Sequence, residues 1–493
     1  MVAAALAGCG TTTYFAGRTL PPSGIRNRVL IAIQNASASI KGSLVFVDAY
    51  YDTRYAYNNI NKTFSIAGFG GALPTTIQNM PAEESGAVYG SGDGSLTLIN
   101  YAQEKTSGTE AGLSGLLYGN VFVTKNQSFA FGASPQTGSL VVVDQTNAGG
   151  SFPLGLPGAY HVSLNAGGSV ALAFVKNSDY IYYPQKLTAV QTTTYSGGQS
   201  TWPPAALDCE PRILPLWCLF QAQSPDNFDA KSGTYYGAPL KFDRPIKAVF
   251  SPDGGTAYIL NCGPECGGKK ASVTVMPIAP TIFLAGQSSG QLPTTTNTAN
   301  AQCGNVNLVA GCIPIPGGAS NALVAGSAMY VVGQRMMPDG FWGGQLTTVN
   351  LVDNSVVPST TNSPNPVSIS DGVPGGVSRM LLADDSTLWI GMTQCNNGER
   401  VNNPVTYPGG YGCLTMYNTS SNSVTLLEPY IGDLTGIAAV TGLHKIYVAQ
   451  GGQVYIYTTT DGTSIDNRYV TVTGTAWDVA YMDADSDEDN TVY

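Results

Sequence analysis

The chain of 493 residues exceeds the usual size of one domain, so its length predicts either several domains or one large repetitive architecture. Charged residues make up only 11% of the chain and hydrophobic residues 43%, a composition that excludes wholesale disorder. The net charge of −10 argues against nucleic acid as a partner. No apolar run in the sequence reaches the ~18 residues of a membrane-spanning helix, so any membrane attachment would need a lipid anchor.

An Ala-rich segment at the N-terminus ends in a cysteine. The string from Leu6 to Cys9 reads Leu-Ala-Gly-Cys and resembles the bacterial lipobox, in which the cysteine is lipidated after signal cleavage. This resemblance implies a signal remnant over residues 1–9, a linker over 10–27, lipidation at Cys9, and export to a bacterial outer membrane or cell surface. Because no Lys or Arg precedes Arg18, where a complete signal carries a basic region, an unmodified cysteine is the alternative.

A pattern of alternating apolar residues recurs through the rest of the chain. Each copy is a small residue followed by a run such as Ser-Leu-Val-Phe-Val, and the copies begin at Gly42, Gly94, Gly138, Ala271, Gly344, Gly412 and Gly452. A period of two that is bounded by Gly, Asn, Asp and Ser is typical of strands and hairpins. The pattern therefore predicts an all-β protein.

The clearest repeat joins a tight turn to a strand. It runs from Ser251 to Asn261 and reads Ser-Pro-Asp-Gly, three residues, then Tyr-Ile-Leu-Asn. This string resembles the signature of the YVTN-type β-propeller repeat, which implies four-stranded blades stacked around a channel. Counting hairpins over 28–493 predicts eight blades. Seven blades is the alternative if the weak repeat near Asp179 belongs to an insertion, and two smaller domains is a further alternative.

The two ends of the repeat region are incomplete in a complementary way. The segment after Ala476 offers a strand and a turn with no outer strands behind them, and the segment at Val29 has no inner strand before it. Joining the C-terminal strand to the first blade would leave no free sheet edge between the first and last blades. The sequence therefore predicts a ring closed by its C-terminal strand.

Eight cysteines remain besides Cys9, and they fall into four neighbouring couples. An even number in an exported chain predicts disulfides, and we expect sequential pairing, although other connectivities remain open. The couples are Cys209 with Cys218, Cys262 with Cys266, Cys303 with Cys312, and Cys395 with Cys413. The blade alignment places them on one face, in or beside long connecting loops at 187–245, 276–320, 333–343 and 394–412.

These connecting segments carry aromatic and cationic side chains that suit a protein or glycan partner, because rigid rings bury much area with little loss of rotamer freedom. The candidates for partner contact are Arg335, Phe341, Trp342, Arg400, Tyr407 and Tyr411. The alternative is that such rings pack inside the loops. For Trp217, which lies in an apolar run that begins at Ile213, packing is the better interpretation.

The last predicted turn is strongly acidic. Aspartates alternate at Asp483, Asp485, Asp487 and Asp489, and carboxylate oxygens are the ligands that Ca²⁺ prefers. The frame resembles the calcium loops of integrin-type propeller blades, which implies a structural calcium ion. Glu488 stands where such loops carry Gly, and a solvated acidic hairpin is the alternative.

A set of catalytic residues is not evident in the sequence. The chain has two histidines, His161 and His444, and no Gly-x-Ser-x-Gly motif. The sequence therefore favours a non-catalytic lipoprotein of the cell surface that binds a protein or glycan through its loop face, or an assembly scaffold that associates with copies of itself. Because YVTN-type repeats are similar to those of lactonase propellers, a hydrolytic propeller with its site at the channel mouth is the alternative.

Overall fold

The recurring apolar segments form antiparallel strands in the computed structural model, and these strands assemble into a ring of eight four-stranded blades. Strands make up 58% of the chain, and the fold is the predicted eight-bladed β-propeller. The seven-bladed and two-domain alternatives are therefore wrong. The structure describes residues 18–485 except 19, 57–58, 114–119, 125, 148–149, 166–167, 188–205, 211–215, 223–227, 230–233, 236–240, 279–311, 339, 341, 362, 373–376, 397–410 and 428–430.

The strands are numbered in chain order. They are β1 (Arg28–Gln34), β2 (Gly42–Asp48), β3 (Tyr55–Ala56), β4 (Asn59–Thr63), β5 (Pro74–Met80), β6 (Ser85–Gly90), β7 (Ser95–Asn100), β8 (Lys105–Glu110), β9 (Asn120–Val123), β10 (Phe129–Ser134), β11 (Ser139–Asp144), β12 (Gly150–Gly155), β13 (Ala159–Leu164), β14 (Ala171–Val175), β15 (Ile181–Leu187), β16 (Ala206–Glu210), β17 (Leu216–Gln221), β18 (Phe228–Asp229), β19 (Thr234–Tyr235), β20 (Pro245–Phe250), β21 (Thr256–Asn261), β22 (Ser272–Pro277), β23 (Cys312–Pro314), β24 (Asn321–Ala325), β25 (Ala328–Met336), β26 (Trp342–Asn350), β27 (Ser355–Val356), β28 (Val367–Gly372), β29 (Val377–Ala383), β30 (Thr387–Asn396), β31 (Tyr411–Asn418), β32 (Ser423–Leu427), β33 (Leu434–Val440), β34 (Lys445–Gln450), β35 (Gln453–Thr458), β36 (Ser464–Val470) and β37 (Thr475–Tyr481).

Each blade runs from an inner strand beside the channel to an outer strand. From the first blade to the eighth, the inner strands are β37, β5, β9, β13, β20, β24, β29 and β33. Because neighbouring strands are antiparallel, the loops after the first and third strands of every blade lie on one face of the ring. The loops after the second and fourth strands lie on the other face, where the inner strands begin. We call this second face the entry face.

The C-terminal strand closes the ring, as predicted. β37 pairs with β1 in the first blade, with Val29 opposite Tyr481 and Gln34 opposite Thr475. The seam is also held by an ion pair, in which Arg28 Nη2 lies 2.6 Å from Asp483 Oδ1. The joint between the two ends of the chain is therefore both hydrogen-bonded and charge-paired.

Apolar packing is divided among the joints between blades. Eight clusters of buried side chains each lie between two neighbouring blades, including the joint between the eighth and the first. In the cluster between the seventh and eighth blades, the fully buried Trp389 donates its indole N–H to Thr387 Oγ1 at 3.0 Å. Because each blade buries both faces, its strands carry apolar residues at most positions.

All four segments predicted as loops contain strand residues. β23 lies within 276–320 as the fourth strand of the fifth blade, and β30 and β31 extend into 394–412, to Asn396 and from Tyr411. In the segment 333–343, β25 continues to Met336 and β26 begins at Trp342, so the loop is much shorter than predicted. The glycines in and beside this segment are needed for packing. A Cβ atom on Gly344 would lie 2.3 Å from Ser370 Oγ, and one on Gly333 would lie 2.4 Å from the backbone of Gly318.

The segment 187–245 holds the outer strands of the fourth blade. β17 pairs with β15, and β16 adds a further strand outside β17. Trp217 lies on β17 and is 5% exposed, with its ring centroid 5.4 Å from that of Phe129 and its indole N–H donated to Asp144 Oδ2 at 3.2 Å. The prediction that Trp217 packs rather than binds a partner is confirmed.

No described helix is long and apolar enough to cross a membrane.

Candidate functional site

A cavity of about 700 Å³ opens at the channel mouth on the entry face. It lies where the inner strands β13, β20 and β24 of three neighbouring blades begin, and Pro135 of the third blade also lines it. The side chains that line it come from those strand ends and from loops after second strands. They belong to Pro135, Gly158, Tyr160, His161, Lys176, Asn177, Ser178, Arg244, Pro245, Ile246, Lys247, Glu265, Cys266, Ser320 and Asn321.

Lys247 is the buried cation of this wall. It lies on β20 and is 8% exposed, and its ammonium donates a hydrogen bond to Asn321 Oδ1 at 2.8 Å. Burial, together with the positive charge of Arg379, lowers the pKa of Lys247 to about 7. A neutral amide neutralises no charge, so the ammonium is held in the wall without a carboxylate bonded to it in the described part of the chain.

Two buried nitrogen atoms beside Lys247 have no hydrogen-bond partner among the described residues. One is Nδ2 of Asn321, whose side chain is fully buried, and the other is Nε2 of His161. Burial, together with the charge of Lys247, lowers the pKa of His161 to about 3, so the imidazole is neutral. A buried nitrogen without a partner costs free energy, which a ligand in the cavity could recover.

The Asn321 amide has a defined orientation. Its Oδ1 accepts from the Lys247 ammonium and from the backbone N–H of Ala322 at 2.9 Å. Both of these groups are donors, so the oxygen has to face them and the amide nitrogen is turned the other way. Nδ2 is therefore a donor without an acceptor.

At other places in the channel wall, polar side chains of inner strands have hydrogen-bond partners. Polar side chains on inner strands bond to the backbone of the next inner strand, and the donor–acceptor distances are between 2.6 and 3.1 Å. These bridges join Gln78 to Val123, Asn120 to Val162, Ser163 to Ala248, and Asp478 to Ile77. The bond between Lys247 and Asn321 also joins neighbouring inner strands, but it joins two side chains and leaves one charge and one donor unmatched.

The rim of the cavity carries further charges. Arg244 Nη1 lies 3.8 Å from Asp179 Oδ1, and Lys176 also lines the cavity. Glu265 accepts the backbone N–H of Gln334 at 3.0 Å, and burial raises its pKa. The loop that carries Glu265 is closed by the Cys262–Cys266 disulfide, and Cys266 itself lines the cavity.

The predicted disulfides are found where both side chains are described. Cys209 pairs with Cys218 and Cys262 pairs with Cys266. Cys312 and Cys413 are also disulfide-bonded, and the side chains of their predicted partners, Cys303 and Cys395, lie outside the described residues, as does Cys9. The Cys209–Cys218 bond differs from its predicted place in a face loop, because it joins directly opposed residues of β16 and β17 at the outer edge of the fourth blade.

The structure places two of the predicted partner-binding residues on the entry face. Arg335 and Trp342 are half-buried near the end of the β25–β26 hairpin, which projects from the sixth blade beside the exposed Met336. Tyr411 begins β31, but its side chain is outside the described part. Phe341, Arg400 and Tyr407 lie outside the described residues, so their contacts stay predictions.

The acidic turn is on the face opposite the entry face. Asp483 is 2% exposed, and its Oδ2 accepts the backbone N–H and Nε of Arg28 at 2.7 and 3.0 Å. Its carboxylate therefore already has a cationic partner. Asp485 is exposed, and Asp487 and Asp489 lie outside the described residues, so the calcium site stays a prediction. In the described part of the chain, no three His, Cys, Asp or Glu side chains are grouped as metal ligands.

The sequence analysis did not identify Lys247 or Asn321. The available signal was a lysine inside the apolar strand Pro245–Phe250, at a position that alternation assigns to the interior. A charged residue at such a position is either paired or functional. His161, one of the two histidines in the sequence, also lies in the cavity wall.

Comparisons with known proteins show likeness of fold. No protein-family model and no curated protein matches this sequence. Among solved structures, the chain is similar to the dihydro-haem d1 dehydrogenase NirN, with 10% identity and a TM-score of 0.47 over 92% of this chain and 75% of that one. It is similar to apo AztD from Citrobacter koseri, with 11% identity and a TM-score of 0.45 over 92% and 97%. It is also similar to the β-propeller domain of Cps50 (Swd1) from Myceliophteria thermophila, with 10% identity and a TM-score of 0.41 over 79% and 98%. These values are too low to carry a function from any of the three to this chain.

Proposed function

We propose that this chain is a non-catalytic, exported β-propeller lipoprotein that binds a protein or glycan partner through its entry face. The observation that carries the proposal is the gathering of binding features on that face. The cavity, the Cys262–Cys266 disulfide at its rim and the projecting β25–β26 hairpin all lie there. Concave sites of 300–1,000 Å³ are typical of ligand recognition, and rigid loops lower the entropic cost of binding.

Export is supported by the disulfides, which form and persist outside the reducing cytoplasm. Three parts of the proposal rest on the sequence. They are anchoring at Cys9 to an outer membrane or cell surface, self-association as an assembly scaffold, and a structural calcium ion at Asp483, Asp485, Asp487 and Asp489.

The hydrolytic alternative needs oxygen ligands for a metal, or a pair of carboxylates, at the channel mouth. In the described lining, Glu265 is the one carboxylate, and the other charged side chains, Lys176, Arg244 and Lys247, are cations. Neighbouring cations disfavour a divalent cation by charge repulsion. The lining therefore favours binding of a partner over metal-assisted hydrolysis.

Amine-reactive cross-linking on the intact source cells, read by mass spectrometry, tests the proposal. Lys269 and Lys270 are exposed on the entry face, and Lys105 is an exposed control at the opposite face. We expect links from Lys269 and Lys270 to one other protein or to a second copy of the chain, and few from Lys105. A parallel arm measures binding of the full chain to surface polysaccharide from the same cells. Failure of both arms, or links spread evenly over both faces, would contradict the proposal.

A further inference from the structure

The base of the cavity carries a buried charge and two buried nitrogens that the fold leaves unmatched. The ammonium of Lys247 bonds to a neutral amide, and Asn321 Nδ2 and His161 Nε2 have no partner in the described structure. We infer that this cavity binds a small organic carboxylate, whose oxygens accept from Lys247 and Asn321 and whose body occupies the cavity. Nothing in this inference depends on which macromolecule contacts the entry face.

The charge at the cavity favours an anion. Three cations and one carboxylate line the described wall, although the whole chain has 22 basic and 32 acidic residues. The carboxylate, Glu265, is bonded to the backbone of Gln334. Asp478, the acid nearest to Arg379 along the channel, accepts the backbone N–H of Ile77 at 2.8 Å and lies 3.8 Å from Arg379 Nη2. Neither Glu265 nor Asp478 is therefore bonded to Lys247, and the charge of Lys247 is left for a ligand to neutralise.

The two donors at the base of the cavity, Lys247 and Asn321, fit a ligand group with two acceptor oxygens. Oδ1 of Asn321 is held by Lys247 and by the Ala322 N–H, so the amide nitrogen, which has no acceptor in the described structure, is left to donate to a ligand bound beside Lys247. Lys247 carries three ammonium protons, and one of them is used by Asn321. A carboxylate offers about four lone-pair sites on two oxygens, so it can accept from both side chains.

The walls indicate the rest of the ligand. Pro135, Tyr160, Pro245 and Ile246 present apolar surface to the cavity. The Tyr160 hydroxyl is used by the Ile246 carbonyl at 2.9 Å, so its ring, rather than its polar end, is what a ligand would contact. A single buried cation balances a single negative charge. These features fit a monocarboxylate on a compact aromatic or aliphatic body better than a phosphate dianion.

Titration calorimetry of the full chain with benzoate, benzamide and inorganic phosphate tests the inference. Benzoate and benzamide share one shape and differ in charge. We expect benzoate to bind at least tenfold more tightly than benzamide. Lys247→Met and Asn321→Asp should each remove that preference, the first by deleting the cation and the second by placing a carboxylate on it. Lys105→Met, an exposed lysine outside the cavity, is the matched control and should bind as the unaltered chain does.

The folding of each variant is checked by its thermal unfolding midpoint. Lys247→Met should unfold at or above the temperature of the unaltered chain, so a loss of binding in this variant cannot come from unfolding. Equal affinity for benzoate and benzamide in the unaltered chain would overturn the inference, and so would a benzoate preference that survives Lys247→Met. Tighter binding of phosphate than of benzoate would overturn the assignment to a carboxylate.

Discussion

Two buried cations of this propeller have opposite surroundings. Arg28, at the seam between the first and last strands, is 3% exposed and bonds to Asp483 and to Glu104, with Nη1–Oε1 at 3.0 Å. Its Nη1 also donates to the Tyr101 carbonyl at 2.7 Å. Lys247, at the channel mouth, is 8% exposed and bonds to a neutral amide. One cation has two carboxylates, and the other has none bonded to it in the described structure.

The consequence for protonation follows from these partners. Burial by itself would lower the pKa of Arg28, but the hydrogen bonds and charges of Asp483 and Glu104 outweigh burial and raise it. Burial of Lys247 has no such compensation, and its pKa falls to about 7. The seam uses a buried charge to hold the ring closed, whereas the cavity keeps a buried charge that a ligand can neutralise.

Removing Arg28, the cation that is paired with two carboxylates, should change the stability of the protein most. Arg28→Met leaves the carboxylates of Asp483 and Glu104 buried without a cation, and removal of one partner from a buried ion pair typically costs about 3–5 kcal/mol. We expect the free energy of unfolding to fall by about that amount in urea denaturation followed by tryptophan fluorescence. Lys105→Met, on the exposed surface, should change it by less than about 0.5 kcal/mol. A loss below about 1 kcal/mol in Arg28→Met would show that the seam does not depend on its ion pairs.

Removing Lys247, the cation without a carboxylate bonded to it in the described structure, should raise the free energy of unfolding rather than lower it. Lys247→Met replaces a buried ammonium by an apolar side chain of similar length and removes the cost of burying its charge, so we expect the free energy of unfolding to rise, as it often does by about 1–4 kcal/mol when a whole buried ion pair is replaced by apolar side chains. The same urea experiment in ligand-free protein at pH 7 measures the gain. A destabilised Lys247→Met variant would mean that Lys247 contributes to folding as Arg28 does, and the contrast between the two sites would fail.

The low pKa of Lys247 should make the stability of the protein depend on pH, and a carboxylate partner like those of Arg28 should remove this dependence. The unfolded pKa of a lysine is 10.5 and the folded pKa of Lys247 is about 7, so between these values the unfolded chain binds the extra proton. Stability should therefore rise with pH over that window, by at most about 1.4 kcal/mol per pH unit. His161 is neutral throughout this range.

Asn321→Asp should flatten that rise, because the carboxylate raises the folded pKa of Lys247 towards its ordinary value. Denaturation midpoints at pH 7, 8 and 9 for the unaltered chain, Asn321→Asp and Lys247→Met measure the difference. Lys247→Met has no proton to lose and should be as flat as Asn321→Asp. If all three proteins show the same slope, Lys247 does not titrate in this window.

The sequence predicted the parts of this structure that depend on neighbours along the chain. Alternation within each strand, the turn after Ser251 and the apolar run around Trp217 are local, and each was interpreted correctly. The pairing of the C-terminal strand with the first blade was predicted as well, but side-chain contacts between distant segments were not. Lys247 and Asn321 are 74 residues apart, and Arg28 and Asp483 are 455 apart. Whether such side chains meet depends on the stagger of inner strands around the ring, which strand patterns do not specify.

A third cation tests whether a carboxylate partner matters without burial. His444, in a loop after β33, lies 2.9 Å from Asp385 in the neighbouring blade, and its side chain is 58% exposed. The hydrogen bond and charge of Asp385 raise the pKa of His444 above 6.5. A raised folded pKa means that the pair stabilises the protein below pH 6.5 and that this contribution is lost as the pH rises through the folded pKa.

His444→Gln should therefore lower the thermal unfolding midpoint more at pH 5.5 than at pH 9. The effect should be the smallest of the four, because water and salt screen an exposed pair, and it should shrink further in 0.5 M NaCl. Asp385 also accepts from Thr459 Oγ1 at 2.7 Å, so it keeps one partner in the variant. If His444→Gln lowers the midpoint as much as Arg28→Met does, a carboxylate partner stabilises the protein equally at an exposed and at a buried cation. Burial would then not explain the large effect expected at Arg28.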